Sequence, residues 1–133
     1  MRLLTHNMLA SNARGAVTGY PLKLQVVKWS TKEVEPNPEF LRGMLPKIDW
    51  PALVAATQAL GLPELLPEAP PTDAELSAEG AAADEGSARR RLHRALLEIH
   101  IEEGALVCPD TDRCFPISRG VPNMLLHEDE VRN

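Results

Sequence analysis

Alternation of apolar and polar residues is confined to the two ends of this chain and helical spacing to its middle, so any sheet must be assembled from segments far apart in sequence. Near the N-terminus Leu22, Leu24 and Val26 alternate with Lys23, Gln25 and Val27, the pattern of a half-buried strand. Near the other end Ile99 and Ile101 alternate with His100 and Glu102, Glu103-Gly104 can turn, and Ala105 to Cys108 can return as a hairpin. Pro109 to Arg113 reads as a second turn and Cys114 to Ile117 as a third short strand. Ser118-Arg119-Gly120 then turns into Val121 to Leu126, after which an acidic tail begins. Met1 to Asn12 reads as a short strand leading into one helical turn.

The middle carries helix punctuation. Asn37 suits an N-cap and Pro38 a first helical position, which predicts a short helix bearing Phe40, Leu41, Met44 and Leu45 up to Pro46. Asp49 caps a second, with Pro51 in its first turn, Gly61 past its end, and Trp50, Leu53, Val54, Thr57 and Leu60 on one face. These two helices are expected to form one hairpin. A third carries Ala88, Leu92, Ala95, Leu96 and Ile99 as a stripe, with Arg89, Arg90, Arg91 and Arg94 lying mostly elsewhere. Between the second and third, residues 63–87 are rich in Pro, Ala and Glu and too poor in apolar residues to offset their ordering entropy, so they read as a mobile acidic loop. The expectation is an α+β fold. Residues 1–36 with 98–133 form a small antiparallel sheet domain, and 37–97 a helical insertion containing the loop.

Charge and length narrow the function. The chain has 133 residues and a net charge of −5, but the loop contributes −7 of it, which leaves +2 for the rest. A chain so balanced lacks the basic surface that a general grip on nucleic acid requires. Arg89, Arg90, Arg91 and Arg94 form the one dense basic cluster. No aromatic residues interleave it, so it reads as a solvated helix face rather than an RNA-stacking surface. No run approaches the roughly 18 apolar residues of a transmembrane helix, and no basic segment precedes an apolar signal core. Two cysteines, Cys108 and Cys114, are too few for a secreted disulfide scaffold. A soluble protein of the cytoplasm and nucleus with reduced thiols is expected. No two glycines are spaced Gly-x-Gly, so no loop invites a nucleotide or S-adenosylmethionine close to the backbone, and nothing fixes a Cys-His pair for nucleophilic chemistry. No catalytic residue is assigned.

Several blocks resemble one family: Met1 to Leu9, Glu35 to Leu41, Lys47 to Trp50, Leu92 to Glu98 and, most specifically, Phe115 to Leu126. Together they resemble the small activator subunit shared by several tRNA, rRNA and release-factor methyltransferases of eukaryotes and archaea. The resemblance implies a zinc-ribbon-like end domain with a helical middle. It implies a non-catalytic subunit that forms heterodimers with several class I methyltransferases, pairing an edge strand with theirs and keeping them soluble. S-adenosylmethionine would be bound by the partner, and RNA contacted mainly through it. Leu4, Thr5, Asn7, Ile117, Gly120, Val121, Pro122, Asn123, Met124, Leu125 and Leu126 are the partner-binding residues it implies. The crowding of Val121, Met124, Leu125 and Leu126 fits, because an exposed apolar edge aggregates unless covered. An RNA-binding adaptor derived from a zinc ribbon, gripping through Arg90 and Arg94, is the alternative. Zinc-binding members of the family use two cysteine pairs. Here Cys108 holds one knuckle position, Thr111 stands where its partner would be, and Ser11 and Asn12 occupy the region of the first pair. Four N or S donors are therefore lacking and no metal is expected, which leaves Cys108 as the remnant of a lost site.

Overall fold

The computed structural model describes residues 1–77 and 87–131. Four antiparallel strands make one sheet in the order β1 (Lys23–Thr31), β2 (Ile99–Val107), β3 (Cys114–Ser118), β4 (Val121–Pro122). Helices α1 (Leu3–Met8), α2 (Pro38–Met44), α3 (Trp50–Ala59), α4 (Asp73–Ser77) and α5 (Ala88–His93) accompany it. The sheet draws on both ends of the chain and the helices mainly on its middle, the α+β arrangement expected. One core cluster joins them, with Leu3, Leu53, Leu92, Leu96, Ile101, Leu106 and Phe115 all fully buried.

The helix caps follow the sequence. The Asn37 side chain accepts from Phe40 N–H and Asp49 from Ala52 N–H, while Ser87 accepts from Arg90 N–H. Their packing differs from the hairpin expected. α2 lies against α4 and α5, whereas α3 lies against α1 and β1. Asn7 supplies the reason for the second contact: its amide donates to Asp49 O at 2.9 Å and accepts from Asp49 N–H at 3.0 Å, fixing α1 to the start of α3.

β2 runs unbroken through Glu103-Gly104, where the sequence pattern predicts a turn. Val26 pairs with Gly104, Lys28 with Glu103 and Trp29 with Ile101, so each strand carries one extra residue, Val27 on β1 and Glu102 on β2. The two bulges shift both alternations by one residue. Leu24 and Leu106 at one end, and Trp29 and Ile101 at the other, therefore face the same core, while Val27 is expelled to 78% exposure. Gly104 is required by close approach, since a Cβ there would sit 2.1 Å from Gln25 O.

Residues 63–77 are also more structured than their composition predicts. Leu66, Pro71 and Leu76 are buried, and Thr72 and Glu75 cap α4 reciprocally, with Thr72 N–H donating to the Glu75 carboxylate and Glu75 N–H to the Thr72 hydroxyl. Trp50 Nε1–H donates to Pro67 O, Arg91 Nε–H to Leu65 O and Arg89 Nη1–H to Leu76 O. Polar tethers to backbone carbonyls supply what the apolar content of the segment cannot. Residues 78–86, the rest of the expected loop, lie outside the described residues.

After α5 the helix widens into a π turn, Arg94–Glu98, before β2 begins. Ala95, Leu96, Leu97 and Glu98 are all buried in this turn.

Candidate functional site

The C-terminal edge of the sheet is built by a two-residue hairpin. Ser118 pairs with Val121 across Arg119 and Gly120, whose φ values of 52° and 76° match the strand twist that such hairpins require. Gly120 is held on both sides. Its N–H donates to Glu102 O at 2.8 Å, and its carbonyl accepts from the Met1 amino group at 2.7 Å. That amino group also donates to Ile101 O, while Ile101 N–H donates to Met1 O, and Arg2 bridges to His100. The first two residues thus extend the sheet alongside β2 where β3 ends, which is how the two ends of the chain meet.

Beyond β4 the chain stays extended against β3, with Asn123 N–H donating to Pro116 O and Leu125 N–H to the Asn123 side chain. Exposure then alternates. Val121 is 65% and Leu125 82% exposed, whereas Pro122, Met124 and Leu126 are half-buried, the latter two against the core. A cleft of about 580 Å³ lies beside them, lined by Arg113, Pro116, Asn123, Leu125, Leu126 and His127. The tail returns to close it from behind: Arg113 Nε–H meets Glu130 at 2.7 Å, and Arg14 N–H donates to Glu130 O.

Not every residue expected at a partner surface can touch one. Asn7 is buried in its bonds to Asp49, and Ile117 is 3% exposed within the core, so neither presents its side chain at the surface. Leu4 is half-buried, and Thr5 and Asn123 are exposed. Gly120 contributes backbone geometry.

The knuckle brings together the residues compared with zinc ligands. Cys108 is fully buried. Burial pushes its thiol up, but hydrogen bonds from the Ser11 and Thr111 side chains and from the backbone of Asp110 and Thr111 outweigh this and hold it below its usual range. One thiol and two hydroxyls do not make the four-donor set that structural zinc needs, and among the described residues no cluster of three or more His, Cys, Asp or Glu side chains is placed to hold a metal ion. A carboxylate makes the cross-link instead. Asp110 Oδ2 accepts from the N–H groups of Val17 (2.9 Å), Thr18 (3.2 Å) and Gly19 (2.9 Å), clasping the N-terminal loop to the knuckle. Asp110→Ala is expected to cost about 1 kcal/mol, the value of charge-assisted bonds discounted for their exposure. Excess EDTA should leave the wild-type melting temperature unchanged, and an EDTA-dependent fall would show that a metal holds the knuckle.

The arginine cluster is not the solvated face expected. Arg89 is buried with its bond to Leu76 O, Arg91 is tied to Leu65 O, and Arg90 meets Glu98 at 3.0 Å. Only Arg94 of the four is exposed. An RNA grip through Arg90 would have to break its ion pair first. Sequence reasoning misses Glu98, which lies buried at the junction of α5 and β2 and also accepts from Val34 N–H at 3.1 Å. The signal available is a lone carboxylate set between Leu96-Leu97 and Ile99, since a charge inside an apolar run is buried only when it is paired.

Comparison with known proteins agrees with this architecture. The chain is 50% identical over 131 residues to the multifunctional methyltransferase subunit TRM112 homolog A of Arabidopsis thaliana, covering 98% of this chain and 100% of that protein. It is 48% identical over 132 residues to the TRM112-like protein of Mus musculus, covering 98% of each, and 32% identical over 137 residues to TRM112 of Saccharomyces cerevisiae, covering 95% and 96%. Its fold matches a chain in the structure of the E. cuniculi Mtq2-Trm112 complex, responsible for methylation of the eRF1 translation termination factor, with a TM-score of 0.54 at 15% identity over 100% of this chain and 99% of that one. The description Trm112p-like protein matches residues 2–120, and the chain belongs to that family.

Proposed function

We propose that this chain is a non-catalytic subunit that binds, stabilises and activates S-adenosylmethionine-dependent methyltransferases acting on tRNA, small-subunit rRNA and a translation release factor. The observation that carries the proposal is the edge at Val121–Leu126, where Val121 and Leu125 stand exposed and Leu125 lines a cleft. A short terminal strand with apolar neighbours is suited to adding itself to another sheet, through main-chain bonds for affinity and side-chain pockets for specificity. The names of the relatives, which are methyltransferase subunits, support the same reading.

In this role the chain holds no cofactor of its own. The partner enzyme binds S-adenosylmethionine and most of the RNA, in cytoplasm and nucleus alike. Binding only the folded enzyme stabilises it by linkage, by about 2.7 kcal/mol at a hundredfold excess over Kd. Several enzymes share the edge, which gives each a 1:1 complex. Co-expression with an Mtq2-like methyltransferase tests this: the enzyme should become soluble only with its subunit and methylate a release factor only as the complex. The isolated chain should bind no S-adenosylmethionine. An enzyme equally soluble and active alone would overturn the proposal.

A further inference from the structure

With Arg89, Arg90 and Arg91 engaged, exposed cations gather on a different surface. On the solvent side of the sheet, Ser30 pairs with His100 and Arg2 bridges to the same His100, which sets three residues in one row across the sheet. Lys28 and Lys32 flank that row on β1 and just past its end, and Arg2, Lys28 and Lys32 are all exposed. Lys32 also lines a shallow depression of about 250 Å³ with Thr31, Glu33, Arg90, Arg94 and Glu98. Among the described residues none of Arg2, Lys28, Lys32 or Arg94 has an ion-pair partner.

Carboxylates sit among them too: Glu103 opposite Lys28 and Glu33 beside Lys32 are exposed, and Glu102 lies at the centre. Glu102 accepts from the Ser30 hydroxyl at 2.7 Å, and that bond, with Lys32, the Met1 amino group and Lys28 nearby, keeps it below its usual range. His100 is held below its ordinary value by burial first, then by Lys32, the Met1 amino group and Arg2. The same neighbouring positive charges are a secondary cause of both shifts. Val27, 78% exposed at the β1 bulge, is the large apolar side chain exposed beside these cations, while Trp29 turns toward the core. Protein interfaces concentrate apolar and aromatic residues at their centres and exclude charge from them, whereas phosphate contacts need only cations. The face is also continuous with the docking edge, because Glu102 O holds Gly120 N–H.

We infer that this outward face of β1 and β2, through Arg2, Lys28, Lys32 and Arg94, holds backbone phosphates of the RNA on which the partnered methyltransferase acts. The inference rests on the proposed function and adds to it a direct, sequence-independent contribution of this subunit to substrate binding.

The test uses the heterodimer with a tRNA-modifying methyltransferase and unmodified tRNA as probe, with affinity read by fluorescence anisotropy between about 50 and 200 mM salt. Lys28→Ala/Lys32→Ala should weaken binding several-fold at the lower salt and reduce the slope of log K against log salt by about 2, one per lost phosphate contact. The charge-matched Arg14→Ala/Lys47→Ala, exposed cations elsewhere, should change neither. Equal effects of the two double variants, or no effect of the first in an intact complex, would overturn the inference alone. Loss of co-purification in Lys28→Ala/Lys32→Ala would also overturn it, by marking the face as a protein contact. Failure of the wild-type chain to form any complex would instead overturn the proposed function, and the inference with it.

Discussion

Val121→Asp and Leu125→Asp, introduced together, are expected to abolish capture of a methyltransferase partner while the isolated chain melts as the wild type does. The two side chains are 65% and 82% exposed, so the fold has little to lose. Substitutions at such positions change stability by about 0.5 kcal/mol or less. In a complex the same side chains would be buried, each worth about 1.5–3 kcal/mol, and each aspartate would bring an unpaired charge into the interface. A combined loss of about 4 kcal/mol or more corresponds to roughly a thousandfold in Kd, enough to empty a pull-down. Position matters as much as chemistry. Met124 and Leu126 are half-buried against the core and Ile117 is 3% exposed, so aspartate at these sites would damage fold and docking together. Co-purification and a melting curve on the same double variant decide the matter. Retention of the enzyme would remove this edge from the interface, and loss of the fold would show it to be core.

How much of this is legible in the sequence depends on which interaction orders each part. Caps and turns act within a few residues, so the starts of α2 and α3 and the hairpin at Arg119-Gly120 can be read directly. The unbroken run of β2 cannot. Paired bulges at Val27 and Glu102 break the alternation of both strands in register, and a phase break beside a glycine is indistinguishable from a turn until the partner strand is known. Composition misleads at 63–77, where the order comes from Trp50, Arg89 and Arg91 reaching backbone carbonyls from distant helices. A local signal is nevertheless present there in Thr72 and Glu75, spaced as a capping box. At the candidate site the exposed apolar residues are legible as an edge, but the separation of Val121 and Leu125 from Met124 and Leu126 requires the sheet. Asp110 reads locally as a turn residue, since its three N–H partners lie more than ninety positions away.

Glu98→Ala should be the most destabilising polar substitution described, because it removes the acceptor that joins three segments. The carboxylate is buried; it takes Arg90 at 3.0 Å and Val34 N–H at 3.1 Å, with His93 Nε2 3.6 Å away, while Glu98 O accepts from Lys32 N–H. Deleting one partner of such a pair strands the other, at a cost of about 3 kcal/mol and roughly 10 °C in Tm. Burial alone would raise the Glu98 carboxyl, but the bonds from Val34 and Arg90 and the charges of Arg90 and His93 outweigh it and hold it below its ordinary 4.5. A carboxylate depressed in the folded state stabilises above its unfolded value and loses that contribution as pH falls through the folded one, so this part of the acid limb lies below about pH 4.5. His6 acts in a higher window. Burial, opposed by its bond to Leu22 O, holds it below 6.5, and stability is lost as pH falls from there toward its folded value. Melting temperatures from about pH 3 to 8 should therefore show two acid limbs, with Glu98→Ala flattening only the lower. If both limbs survive unchanged in the variant, Glu98 does not anchor this junction. If the lower limb flattens, a carboxylate anchors the chain just before β2 begins. The same strand offers the Ile101 and Glu102 carbonyls to Met1 and Gly120, so the docking edge should loosen with it.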